Sequence, residues 1–265
     1  MHRRPTATRS TRRLSVLALG LAAGGLFIFA LPAAADCDQR AEREARIALD
    51  GARSIEILAR AGDLSVRPGD GDAVEATGTA CASKASTLQG IQLTATRRGD
   101  AVRVEVEIPE TRGWRDHASL DLVVDVPPDV PVAITDSSGD IELRGITVAS
   151  IEDSSGDIEG RDLLGDFRVA DSSGDVELYA LDGSVELTDS SGDLEIEGAR
   201  GSVVVHADSS GDIEIEDVLG SVTVHADSSG DIDVARVVGD FVVERDGSGS
   251  ISHREVGGRI DIPTD

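Results

Sequence analysis

The sequence predicts an all-β protein, a right-handed parallel β-solenoid of about seven coils behind an N-terminal β-cap. Two observations lead to this prediction. The segment Asp-Ser-Ser-Gly-Asp recurs at intervals of 17 to 19 residues, and between its copies apolar residues alternate with polar ones, which is the period of a strand. A unit this short is too small for a helix pair or a propeller blade, but it fits one solenoid coil.

The repeat identifies the predicted turn residues. A degenerate last copy begins at Asp246. Glycine suits a backbone with positive φ, and Asp and Ser side chains bond nearby backbone N–H groups in turns. The turn residues are the first aspartates Asp136, Asp153, Asp171, Asp189, Asp208 and Asp227, the glycines Gly139, Gly156, Gly174, Gly192, Gly211 and Gly230, and the second aspartates Asp140, Asp157, Asp175, Asp193, Asp212 and Asp231.

Stacked turns would bring like charges together. First aspartates one coil apart would repel by about 1 kcal/mol in water, and by more when shielded from it. Local Asx-type hydrogen bonds or bound Ca²⁺ would offset this cost. The repeat partly resembles a calcium β-roll, but the second half-coil, as in Gly220-Ser221-Val222, lacks the paired glycines and the ligand aspartate. The sequence therefore predicts at most weak Ca²⁺ binding, no other cofactor and no dedicated metal site.

Within a coil, the alternation assigns a direction to each side chain. Ile213, Ile215, Val222 and Val224 are predicted to point inward, and residues 216–219 to form a connector. Alternating segments also precede the repeat, at residues 54–58, 64–67, 91–96, 101–108 and 120–126. We interpret 36–131 as the N-terminal β-cap region and 132–265 as the β-solenoid repeat domain.

The N-terminal residues have the layout of a secretory signal peptide. Five arginines precede an apolar run at 14–31, and Ala33, Ala34 and Ala35 follow it. An uncleaved anchor helix is the alternative, but the alanines favour cleavage after Ala35. We therefore expect residues 1–35 to be a signal peptide, the mature protein to have no membrane span, and its location to be the periplasm or the cell surface. The export route, Sec or Tat, stays open.

The two cysteines are expected to pair. Cys37 and Cys81 are the only cysteines in the chain, and both follow the predicted cleavage site. Exported proteins form disulfides because their compartment is oxidising. The bond would attach the mature N-terminus to the body of the domain.

Charge excludes one class of partner. All 50 acidic residues follow Ala35, whereas five of the 25 basic residues precede it, so the mature chain carries 20 minus 50, or −30. Such a surface repels phosphate backbones and anionic lipids. Nucleic-acid binding is therefore not expected.

The sequence offers no catalytic residues. His206 and His225 each precede Ala-Asp-Ser, but adjacency in sequence is not the geometry of a catalytic triad. With Glu244, these histidines would form a surface column, either a solvated ladder or a transition-metal site. Trp114, in a predicted loop rich in Arg and His, is the best single candidate for contact with a partner.

The chain resembles the DUF4097 family of bacterial envelope proteins, also called "putative adhesin" proteins. The residues that carry the resemblance are Leu122 to Ile134, which run directly into Ser138-Gly-Asp-Ile and its copies. The resemblance implies an exported, non-enzymatic β-solenoid with an adhesive or binding role. The alternative is a structural or regulatory scaffold linked to envelope stress. The partner, in the envelope or at the surface, and the oligomeric state stay unknown.

Overall fold

A computed structural model of the protein describes residues 37–111 and 116–263. Two 11-stranded sheets enclose a single hydrophobic core. The predicted signal peptide lies outside the described residues. Within those residues, the structure contains no helix with the length and apolar character needed to cross a membrane.

We call the first sheet sheet A. In spatial order, its strands are β1 (Gln39–Ala48), β4 (Ala73–Ala82), β7 (Ala118–Val126), β3 (Leu64–Pro68), β9 (Ile141–Arg144), β11 (Ile158–Arg161), β13 (Val176–Leu181), β15 (Leu194–Ala199), β17 (Ile213–Val218), β19 (Ile232–Val237) and β21 (Ile251–Val256). The pairs β1–β4 and β4–β7 are antiparallel, and the other pairs are parallel.

The second sheet, sheet B, begins at its C-terminal edge. Its strands are β22 (Ile260–Asp261), β20 (Phe241–Val243), β18 (Val222–Val224), β16 (Val203–Ala207), β14 (Val185–Thr188), β12 (Phe167–Ala170), β10 (Val148–Glu152), β8 (Val132–Thr135), β2 (Ser54–Leu58), β6 (Ala101–Glu107) and β5 (Gln92–Arg98). The pair β5–β6 is antiparallel, and the other pairs are parallel. A short helix, α1 (Ala85–Gly90), lies between β4 and β5.

The parallel β-solenoid predicted from the repeat is confirmed. Each Asp-Ser-Ser-Gly-Asp segment connects a strand of sheet B to the next strand of sheet A. Equivalent residues of successive coils lie in register, as in Ile196, Ile215 and Val234. Stacking of identical positions explains why the sequence keeps the same residue type at each step of the repeat.

The core contains the inward residues that the alternation identified, and one more in each coil. Ile213, Ile215, Val222 and Val224 are buried as predicted. Val218, which we assigned to a connector, is buried as well. Asp217 has a φ of 59°, which interrupts the alternation and turns the next side chain inward. Leu181 and Val237 follow residues of positive φ in the same way, and both are buried.

One coil of the stack was not visible in the repeat. Strands β2 and β3 pair with β8 and β9, the first strands on either side of Asp136. Their connection, Ala59-Arg-Ala-Gly-Asp63, occupies the place of the motif, because Ala61 bridges Ser138 and the Gly62 N–H donates to the Ser138 carbonyl. Only the Gly-Asp pair of the motif survives there, and Ala59 stands where later coils have their first aspartate.

The predicted disulfide is present. Cys37 and Cys81 are bonded, with their Cα atoms 5.5 Å apart. The bond joins the start of β1 to β4, where Arg40 is the register partner of Cys81. Strands β1 and β4 and helix α1 were not among the predicted elements.

Candidate functional site

The first aspartates of the six complete motifs are buried, and we call them the inner aspartate column. They are between 1% and 5% exposed. Both carboxylate oxygens of the first five lack a hydrogen-bond partner among the described residues. Only Asp227 accepts an Asx-type bond, from the Ser229 N–H at 3.2 Å. The Asx-type hydrogen bonds expected from the sequence are therefore absent from most of the column.

Burial changes the acidity of the inner aspartate column. Loss of hydration raises the pKa of Asp136 and Asp208 to about 7 and that of Asp171 to about 6. The pKa values of Asp153, Asp189 and Asp227 are raised by the same cause. The nearby serine N–H groups oppose part of the rise, although among them only the Ser229 N–H is close and well aligned enough to donate a hydrogen bond. Unpaired buried carboxylates favour the neutral acid in this way.

The glycines of the motif form a second column beside the aspartates. The φ values of these six residues lie between 122° and 144°, a region that side chains disfavour. A Cβ atom on any of them would also collide with the carbonyl group of the glycine one coil earlier, Gly62 serving that place for Gly139. Each glycine is therefore required twice, for its conformation and for the close approach of neighbouring coils.

The second aspartates are exposed and form a hydrogen-bonded row, which we call the outer aspartate ladder. The Oδ1 atom of each accepts a hydrogen bond from the backbone N–H at the same position of the next coil, at 2.8 to 3.1 Å within the motifs. Asp63 begins the row and the Ser250 N–H ends it. The two aspartates of one motif thus have opposite environments.

A concave surface on the outer face of sheet A is the best candidate for a binding site. We call it the acidic groove. Its volume is about 580 Å³, and it crosses the seven neighbouring strands from β1 to β13. Eight lining residues are acidic, and none of the described lining residues is basic. The acidic residues are Glu42, Asp63, Asp121, Asp140, Glu142, Asp157, Glu159 and Glu177.

The register of the coils aligns the carboxylates of the groove. Glu142, Glu159 and Glu177 occupy one row across the sheet, with Ser65 as the next member of that row. Arg144 binds Glu142 at 2.9 Å and Arg161 binds Glu159 at 2.6 Å, both from beside the groove. Two of eight carboxylates are thus paired with arginine, and the groove keeps a strongly negative field.

The histidines form a ladder on the surface. The rings of His206 and His225 stack with centroids 5.5 Å apart. The Nε2 atom of His206 lies 3.3 Å from Glu186, and the Nδ1 atom of His225 lies 3.0 Å from Glu244. Within residues 37–111 and 116–263, no three His, Cys, Asp or Glu side chains are placed to hold a metal ion. Weak Ca²⁺ binding stays a prediction.

The partner candidate Trp114 lies outside the described residues, so its role also stays a prediction. Sequence reasoning singled out the motif aspartates but not the acidic groove. Seven of the 17 residues that line the groove come from β1, β4 and β7, which lack the repeat. Only the outward acidic residue in each coil, as at Glu142 and Glu159, was a visible signal.

The family model for Toastrack DUF4097 matches residues 52–252. The chain belongs to this family. The match to Toastrack DUF4097 begins just before β2 and ends within β21, so it includes the coil that lacks the full motif. None of the curated proteins matches the chain.

Solved structures also resemble this Toastrack DUF4097 protein. A "putative cell adhesion protein" from Clostridium sporogenes is 12% identical, with 84% of this chain and 99% of that chain covered and a TM-score of 0.30. A "putative adhesin" from Bacteroides fragilis is 11% identical, with 85% of this chain and 98% of that chain covered and a TM-score of 0.31. A "putative lipid binding protein" from Parabacteroides distasonis is 14% identical, with 86% of this chain and 98% of that chain covered and a TM-score of 0.33. Scores this low say nothing about the function of this chain.

Proposed function

We propose that the protein is an exported, non-enzymatic binding module of the cell envelope that holds a positively charged protein segment in the acidic groove. The groove itself is the observation that carries the proposal, because it joins a concave shape to a dense array of carboxylates. Clefts lined by one sign of charge attract ligands of the opposite sign. The disulfide supports export, since such bonds persist in oxidising compartments.

The dimensions of the groove favour an extended peptide segment. Seven strands at about 4.8 Å spacing span roughly 30 Å, which corresponds to about nine extended residues. Hydroxyl groups of Ser65, Thr77 and Thr79 lie among the carboxylates and offer neutral hydrogen bonds to a bound backbone. Lysine and arginine side chains of the partner would pair with the glutamates.

The test compares two charge-matched triple variants. Glu142→Gln/Glu159→Gln/Glu177→Gln removes three charges from the groove. Glu195→Gln/Glu214→Gln/Asp233→Asn removes three charges from the continuation of the same row, beyond the groove. Binding of a fluorescent decapeptide containing Lys and Arg is measured by anisotropy at physiological salt. We expect the groove variant to bind about tenfold more weakly, because each exposed ion pair contributes about 0.5 kcal/mol.

The control variant should change affinity by less than about twofold, because Glu214 and Asp233 lie two or more strands beyond Glu177, farther than the roughly 8 Å over which charges act in physiological salt. Equal weakening by both variants would show that the field of the whole chain attracts the peptide. The groove would then have no special role, and a scaffold role in the envelope would become the better hypothesis.

A further inference from the structure

The inner aspartate column has no visible source of positive charge. Its members stand at equivalent positions of successive coils, as the parallel bridge between Asp208 and Asp227 shows. Neighbouring coils are about 4.8 Å apart. The carboxylate oxygens of the first five members are buried without a donor. Six ionised carboxylates in such a row would be strongly destabilising, because each would lose its hydration while repelling its neighbours.

The charged groups around the column add to the repulsion between its carboxylates. Those that raise the pKa values of its members are other aspartates: neighbours within the column, the outer-ladder residues Asp63, Asp140 and Asp175, and Asp246 of the degenerate turn. No arginine, lysine or histidine is among the described groups that chiefly determine these pKa values. Several described arginines pair with other carboxylates instead: Arg144 with Glu142, Arg161 with Glu159, Arg168 with Glu186 and Arg236 with Glu216.

We propose that the inner aspartate column is a row of carboxyl groups that share protons at neutral pH, so that the interior of the solenoid is held together partly by bound protons. A proton on one carboxyl group supplies the donor that its neighbour lacks. The O–H bond stays on one aspartate and the hydrogen bond forms to the next, as in paired carboxyl groups that share one proton. Nothing is oxidised or reduced, and the proton is exchanged with water.

The acidities of successive members favour a pairwise arrangement. Burial raises the pKa most at alternate members, to about 7 at Asp136 and Asp208 and to about 6 at Asp171. At Asp189 and Asp227, burial also raises the pKa, but the neighbouring carboxyl groups of Asp171 and Asp208, respectively, oppose the rise. In the proposed arrangement, alternate members hold the protons, and the members after them accept the hydrogen bonds.

The sign of the pH dependence follows from the direction of these shifts. A group with a raised pKa in the folded state stabilises the protein fully at a pH below its ordinary pKa, and this contribution is lost as the pH rises through the folded value. Ordinary carboxyl groups finish titrating near pH 5. The protein should therefore be more stable near pH 5 than near pH 8, with the loss accumulating as the pH rises to about 7 and levelling off above that value.

The experiment uses the purified protein and two charge-matched triple variants. Asp136→Asn/Asp171→Asn/Asp208→Asn replaces the alternate members of the inner column. Asp157→Asn/Asp193→Asn/Asp231→Asn replaces alternate members of the outer ladder, where an amide oxygen can accept the same backbone hydrogen bonds. Calorimetric melts are recorded from pH 5 to pH 8. Infrared spectra at pH 7 measure the C=O band of protonated carboxyl groups, which does not depend on stability.

We expect the midpoint of the parent protein to fall by roughly 10 °C between pH 5 and pH 8, given about 2 to 4 °C for each kcal/mol in a domain of this size. The outer-ladder variant should keep this fall and the protonated-carboxyl band. The inner-column variant should lose most of both. A variant without His206 and His225 should keep the fall as well, since histidine is the other side chain that changes charge in this range.

Two results would overturn the proposal. One is a spectrum without protonated carboxyl groups at pH 7, together with a midpoint that is the same at pH 5 and pH 8. The other is a midpoint at pH 7 that rises in Ca²⁺ or Mg²⁺ and falls in chelator for the parent but not for the inner-column variant, because metal ions would then replace the protons.

If the asparagine variant does not fold, alanine provides a second variant. The coil formed by β2 and β3 already has Ala59 in the equivalent position, and Ala59 is buried there. Asp136→Ala/Asp171→Ala/Asp208→Ala should therefore fold and show the same loss of pH dependence. The asparagine and alanine variants of the inner column leave every residue of the acidic groove unchanged, so this test and the peptide-binding test can fail separately.

Discussion

Replacing Gly192 by alanine is expected to lower the free energy of unfolding by about 4 kcal/mol or more, or to prevent folding. The new Cβ atom would lie 2.5 Å from the carbonyl carbon of Gly174 and closer still to its oxygen. Gly192 also has a φ of 138°. Neighbouring coils cannot separate to make room, because their strands are hydrogen-bonded on both sides. Denaturant unfolding followed by circular dichroism measures the effect.

Gly71→Ala separates the two causes. Gly71 has a φ of 91°, but a Cβ atom there would meet nothing within 4 Å. This control should lose only about 1 to 3 kcal/mol, the usual cost of the unfavourable backbone conformation. Equal losses in the two variants would mean that coil-to-coil contact does not require the glycine column.

Removing the disulfide by Cys37→Ser/Cys81→Ser is expected to cost about 4 kcal/mol by the chain-entropy model for a loop of 44 residues. The loss should concentrate in β1. None of its ten residues is buried, so apolar packing holds this strand only weakly. The other contacts that hold β1 are its backbone pairing with β4 and the hydrogen bonds that the Arg43 guanidinium donates to the carbonyls of Leu88 and Ile91.

Hydrogen exchange measures this prediction strand by strand. Amides of β1 should exchange much faster in the variant, while those of β15, in the middle of the stack, should change little. The parent protein in reducing agent should behave like the variant, and reducing agent should leave the variant unchanged. Protected β1 amides in the variant would show that the strand needs no covalent attachment.

The sequence predicted the parallel stack because two independent periods agree in it. The strand period of two places Ile213 and Ile215 in the core, and the repeat of 17 to 19 residues places equivalent residues of successive coils above one another. A one-residue slip in the register of a strand would turn its apolar residues outward. Few other folds satisfy both conditions.

Other features could not be derived because their signals are not local. Val218 enters the core only because Asp217 adopts a positive φ, and aspartate reaches that conformation without a distinctive sequence. The coil at Ala59 to Asp63 keeps too little of the motif to be recognised. Both aspartates of a motif look alike in sequence, yet Asp208 is buried and Asp212 is exposed, since their side chains leave the turn on opposite sides.

The acidic groove was beyond sequence reasoning for a further reason. Thr79 and Glu42 reach it from strands whose order in sheet A does not follow their order in the chain. Antiparallel pairing of β1, β4 and β7 brings them beside β3 and the first repeated coils. Such long-range pairing is set by the whole fold and leaves no spacing rule to detect.

The outer aspartate ladder has a direction, and this has a consequence for how the chain folds. The acceptor always belongs to the earlier coil and the donor to the later one, from Asp63 to Ser250. Within this ladder, a completed coil therefore offers a side-chain acceptor to the segment synthesised after it, whereas a later coil offers none to its predecessor. Winding should start beside β3 and advance toward the C-terminus, in the order in which the ribosome releases the chain.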